Sequence, residues 1–116
     1  MDQHTHMYPM PSAELSGKRR DLAPETDRTY KDFSRQVFTA GALDAKTKQL
    51  MAVAVAHVTQ CPYCIQGHTK GALRAGATEQ EIMEAIWVAA EMRAGAAVAH
   101  SVIALQAMAD AEQRAS

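Results

Sequence analysis

The segment Cys61-Pro62-Tyr63-Cys64-Ile65-Gln66-Gly67-His68 holds both cysteines of the chain, with a histidine four residues after the second. Proline lacks an N–H and has φ preset near the helical value, so Pro62 belongs at the first position of a helix. Cys61 is then the expected N-cap, Cys64 lies in the first turn, and His68 stands one turn further on. Unpaired N–H groups and the positive end of the helix dipole stabilise a thiolate there. Thiols in Cys-x-x-Cys motifs ionise well below the free value of about 8.5. Cys64 and His68, at i and i+4, share a helix face, so the imidazole can take the thiol proton or pass it on. Cysteines so spaced at a helix start can also close a disulfide with little backbone movement. The chemistry suggested is that of a dithiol that cycles.

The same residues admit two other readings. Cys61, Cys64 and His68 have plausible zinc-ligand spacing, and His57 or His100 could complete a tetrahedron. Alternatively, the chain is a non-catalytic helical assembly module in which the cysteines only pack. His57, four residues before Cys61, is the one polar group in an apolar run; it is either a satisfied core histidine or a member of the thiol site.

The elements that must position these residues are helical. At 116 residues the chain has the length of one domain. Its twelve basic and thirteen acidic side chains nearly cancel, which gives no charge argument for nucleic acid or anionic membranes. No apolar run is seen to approach the ~18 residues of a membrane span, and no signal-type core opens the chain. The expected compartment is the cytosol, where Cys-x-x-Cys is catalytic or metal-binding more often than a static crosslink.

Residues 1–22 show no sustained periodicity and read as an N-terminal arm or tail, in which His4 and His6 are potential metal ligands; residues 23–116 read as a single all-helical domain. Pro24 opens a helix to about residue 39, with Tyr30, Phe33, Val37 and Phe38 as an apolar stripe for core packing and Gly41 as its stop. Asp44 precedes a helix over 45–59 whose run Leu50–Val58, LMAVAVAHV, is apolar all round. Such a helix is buried on both sides, more than so short a chain achieves alone, which points to a homo-oligomer. The dithiol helix follows over 62–75 and ends at Gly76. Thr78 and Glu81 form a capping box for the next helix. Around Ala94-Gly95-Ala96-Ala97 the pattern loosens, and a bend is expected before a last helix through Val98, Val102, Leu105 and Met108. His100 lies just after this bend. No β-type alternation occurs, so the fold class is all-α.

With these motifs in view, the run from Lys48 to Ser101 resembles the alkyl hydroperoxidase D-like, or carboxymuconolactone decarboxylase, family. The resemblance rests on LMAVAVAHV, CPYCIQGH, AGATEQEI and RAGAAVAHS, in that order. It implies a helical bundle assembling as a homotrimer or homohexamer, with active sites near subunit contacts. It implies peroxidase activity of the Cys-x-x-Cys branch, acting on hydrogen peroxide or organic hydroperoxides without a cofactor. A lipoyl-type or thioredoxin-like dithiol would be the reductant. In that scheme Cys64 attacks the peroxide, Cys61 resolves the sulfenic acid into a disulfide, and His68 relays protons. The decarboxylase branch lacks the cysteine pair. Tyr63 stands where the founding peroxidases can carry histidine. A larger departure is Gln49, which occupies the place of a family glutamate that helps deprotonate the thiol. An amide cannot accept the proton as a base. Basicity would then come from His57 or His68, or from Glu91 on another helix, or turnover is weak.

Overall fold

The computed structural model describes residues 7–115, and His4 and His6 lie outside them. The described residues form five helices and no strand: α1 (Ala13–Leu22), α2 (Pro24–Phe38), α3 (Ala45–Thr59), α4 (Pro62–Arg74) and α5 (Glu79–Ala115). The chain divides into two compact units, one ending at Ala45 and one beginning at Lys46.

In the first unit, the arm expected over 1–22 is helical from Ala13, because Ser12 caps it: the Ser12 hydroxyl accepts from the Leu15 N–H at 3.1 Å. The helix has no buried residue, which is why no apolar periodicity marks it. Helix α2, expected to belong with the downstream domain, groups instead with α1. Pro24 stands in its first turn as anticipated, and the Lys31–Asp27 pair at 2.8 Å runs along one side. Its aromatic stripe is not core in this chain: Tyr30 and Phe33 are 65% and 63% exposed. They line a shallow depression with Glu25, Thr26 and Thr29.

The second unit carries the site. Its core is small: Val53 of α3, Ala72 of α4, Ala77 of the connecting turn and Ile82 of α5, with Leu50 and Ile86 packed against them. Alanine at the contacts lets the helices come close. Two side-chain bonds fix how α3 and α5 run. Lys46 Nζ meets Glu81 Oε2 at 2.9 Å, and Arg93 Nη1 donates to the Val58 carbonyl at 2.7 Å. Both pairs are separated by 35 residues in sequence, so the two helices lie alongside each other in the same direction. The apolar run of α3 is only partly enclosed: Val53 and Ala56 are buried, whereas Met51 and Val55 are more than half exposed.

The turns are set by two residues with positive φ. Gln60 (φ 58°) ends α3, and the Cys61 N–H reaches back to the Ala56 carbonyl at 3.2 Å. Gly76 (φ 96°) ends α4, with the Ala77 N–H on the Ala72 carbonyl at 2.9 Å and the Gly76 N–H on Leu73 at 3.0 Å. Both are left-handed C-terminal stops whose back-bonds satisfy orphan carbonyls. The expected capping box is present: Thr78 N–H to Glu81 Oε1 is 2.9 Å and Glu81 N–H to Thr78 Oγ1 is 3.0 Å.

The expected bend at 94–97 does not occur. Helix α5 is continuous over 37 residues, roughly 55 Å at 1.5 Å per residue. The three alanines around Gly95 are the best helix formers and offset its cost of about 1 kcal/mol. Without that break, α5 is long and apolar enough, by length and composition alone, to cross a membrane, which corrects the sequence-based expectation. Alanine, glycine and serine supply much of its length, so no strongly apolar run draws the eye. Its distal side chains are exposed in the single chain, Val98 at 72% and Met108 at 64%.

Candidate functional site

Cys61 serves two helices at once. It follows the left-handed Gln60 that closes α3, and it is the N-cap of α4, with φ −99° and ψ 106°. Its Sγ accepts from the Cys64 N–H at 3.3 Å, the bond a serine or aspartate makes in an ordinary cap. Pro62 opens the helix as the sequence predicts. Both cysteines are free thiols and half-buried.

The pair is electrostatically asymmetric. Cys61 is lowered from the ordinary thiol range, first by a hydrogen bond from the Cys64 thiol, then by the Cys64 and Tyr63 backbone N–H groups. Cys64 is raised, first by donating that same hydrogen bond, then by burial and by the negative charge on Cys61. Of the two, Cys61 at the helix N-terminus is therefore the more acidic thiol. This is the order the dipole argument alone gives.

Beside the pair lies an open cleft of about 360 Å³, lined by Gln49, Tyr63, Cys64, Gly67, His68, Gly71 and Arg74. Cys64 and His68 share this face as their i, i+4 spacing requires. Gln49 reaches it from α3: its Oε1 lies 2.9 Å from His68 Nδ1. The register that allows this comes from the core, because Val53 sits one turn beyond Gln49 and packs in the same cluster as Ala72, the neighbour of Gly71.

Not every candidate residue joins the cleft. His57 Nδ1 lies 2.7 Å from the Val53 carbonyl of its own helix, and the side chain is not among the cleft-lining groups. Glu91 and His100 are exposed on α5 and do not line it either. The Glu91 carboxylate lies over Gly95 one turn along, 3.4 Å from where a Cβ would stand. For the zinc reading, no three His, Cys, Asp or Glu side chains converge as a metal-binding group among the described residues.

Two lining residues escape sequence reasoning about chemistry, Gly71 and Arg74. Arg74 reads only as a cation at a helix C-terminus. Gly71 carries a usable signal: with Gly67 it is a second glycine inside one helix, and glycine there marks a close approach by something else. A Cβ on residue 71 would stand 2.7 Å from Gln49 Oε1.

Comparison with known proteins matches this arrangement to a group. The family model of the carboxymuconolactone decarboxylase family matches residues 24–107. A Paracoccus denitrificans protein named "Uncharacterized protein 4 in cox locus" is 60% identical over 97 residues, 83% of this chain and 87% of its own length. A crystal structure from Methanobacterium thermoautotrophicum has a TM-score of 0.67 at 36% identity, covering 71% of this chain and 92% of that one. A carboxymuconolactone decarboxylase family protein from Thermotoga maritima, described as a possible participant in an antioxidative response, is 33% identical with a TM-score of 0.53, covering 55% of this chain and 66% of that one. The matched region runs through α2, the dithiol helix and most of α5, and on this footing the chain belongs to the carboxymuconolactone decarboxylase family.

Proposed function

We propose that the protein is a thiol-dependent peroxidase that reduces hydrogen peroxide or organic hydroperoxides through Cys61 and Cys64. The carrying observation is the paired free thiols at the start of α4, joined by a sulfur–N–H bond of 3.3 Å, one of them opening on a cleft with His68. The antioxidative role suggested for the Thermotoga relative points the same way.

Cys64 is the attacking residue in this reading, because it lines the cleft that a peroxide would enter and Cys61 does not. Its proton passes to His68. The thiolate attacks the terminal peroxide oxygen, an S–O bond forms as the O–O bond breaks, and the departing alkoxide takes the proton to leave as alcohol, or as water from hydrogen peroxide. The product is a sulfenic acid on Cys64. Cys61, already the more acidic thiol, attacks that sulfur; hydroxide leaves, is protonated to water, and a disulfide joins the pair. Two electrons have moved from the thiols to the peroxide. A dithiol of the lipoyl or thioredoxin type restores the pair by exchange.

Stopped oxidation with trapping tests this directly. After peroxide, mass spectrometry should show loss of two hydrogens, recovered by a dithiol. In Cys61→Ser, dimedone should label Cys64. If both thiols of the native protein remain alkylatable after excess peroxide, the peroxidase reading fails. If the adduct forms only on Cys61 in Cys64→Ser, the roles are reversed.

A further inference from the structure

We propose that Gly71 is a positioning residue: its missing side chain is the notch that seats the Gln49 amide against His68, which makes Nε2 the basic nitrogen of that ring. Three atoms define this arrangement. Gln49 Oε1 lies 2.9 Å from His68 Nδ1, and a carbonyl oxygen only accepts, so Nδ1 carries the proton and donates. A neutral imidazole with Nδ1–H has its lone pair on Nε2. The third atom is the one that is missing. A Cβ at residue 71 would fall 2.7 Å from Gln49 Oε1, 3.0 Å from its Cδ and 3.3 Å from its Nε2, so the whole amide group would have to move.

The direction of yield is clear. The amide is the far end of a flexible side chain, whereas position 71 is helix backbone. An alanine there would displace the amide and leave the fold standing. Alanine is also the better helix former. Stability and reactivity should therefore part company in Gly71→Ala: the helix holds or strengthens while the contact to His68 is lost. A glycine kept in mid-helix at that cost is accounted for by the amide it admits.

The amide orients the ring through its acceptor oxygen alone and brings no charge to it. The consequence for rate rests on the peroxidase reading; the tautomer does not.

The test is heteronuclear NMR of ¹⁵N-histidine-labelled full-length protein, wild type against Gly71→Ala, Gln49→Ala and the double variant, with thermal melts and single-turnover thiol oxidation on the same samples. The expected wild-type His68 is the Nδ1–H tautomer. Both single variants should shift the ring toward Nε2–H, and the double variant should match Gln49→Ala, because Gly71 acts only through the amide. The melting temperature of Gly71→Ala should be unchanged or raised, while its oxidation rate drops by about tenfold or more, the upper bound being the ~10²–10⁴-fold that a general base supplies. A wild-type ring in the Nε2–H form, or Gly71→Ala with unaltered ring signals, overturns the proposal. Ring signals as expected in a protein that does not consume peroxide support the notch and overturn the peroxidase reading instead.

Discussion

Truncating Val53 to alanine probes the contact that sets the site's register. Val53 has no exposed surface and lies among Ala72, Ala77 and Ile82, contributed by three different segments. The change removes two methyl groups, worth about 0.8 kcal/mol each or about 1.6 kcal/mol in transfer. Two of the neighbours are alanines with no longer side chain to swing into the gap, so a cavity remains and adds about 1 kcal/mol. The total is about 2.5 kcal/mol, a large share of a domain stability of about 5–15 kcal/mol, yet it leaves a folded protein. With a urea slope of about 1.5 kcal/mol/M, the unfolding midpoint should fall by about 1.5–2 M. The measurement is circular dichroism against urea at one protein concentration for both forms, since association would shift the midpoint by mass action. A midpoint lowered by less than about 0.5 M at an unchanged slope would mean that Val53 does not clamp α3 to α4 and α5.

Three further outcomes are expected. Because the foremost cause lowering Cys61 is the hydrogen bond from the Cys64 thiol, Cys64→Ala should move the pH midpoint of Cys61 alkylation upward, while Cys64→Ser, whose hydroxyl can still donate, should move it less; equal shifts would refute this cause. Glu81 is lowered by the Thr78 N–H and then by Lys46, so its contribution is present above the unfolded value of about 4.3 and is lost as pH falls through the lower folded value. Glu81→Gln, whose amide does not ionise, should therefore narrow the gap between the urea midpoints at pH 7 and pH 3; an unchanged gap would refute this. Light scattering at micromolar concentration should give three or six times the 12.6 kDa chain mass, since the exposed apolar side chains of α3 and α5 need a cover; a monomer would refute it.

Local chemistry was legible in the residues alone. Pro62 after a small polar-tipped residue marks a helix start whatever surrounds it, because the missing N–H and preset φ are properties of the proline ring. The capping box at Thr78 and Glu81 is likewise closed over three residues, and Gly76 stops α4 by its own freedom at positive φ. The sharing of a face by Cys64 and His68 follows from 3.6 residues per turn.

What lay beyond local reach needed a second element or a competition. Gln60 adopts the left-handed conformation without being glycine, so no residue type announces that turn. Helix α1 has no buried face to print a period on the sequence, and the capping Ser12 is its main signal. At Gly95 the local glycine penalty and the surrounding alanines compete, and only the finished helix shows which prevails. Above all, the partner of His68 is a side chain 19 residues away, brought to 2.9 Å by helices packed through Val53 and Ala72. From sequence Gln49 is a departure from a family pattern and Gly71 a helix-weakening residue; they become one feature only when α3 and α4 lie close enough for an added Cβ to strike the amide. That closeness is set by burial in the core, a property of the packed helices and of no single stretch of the chain.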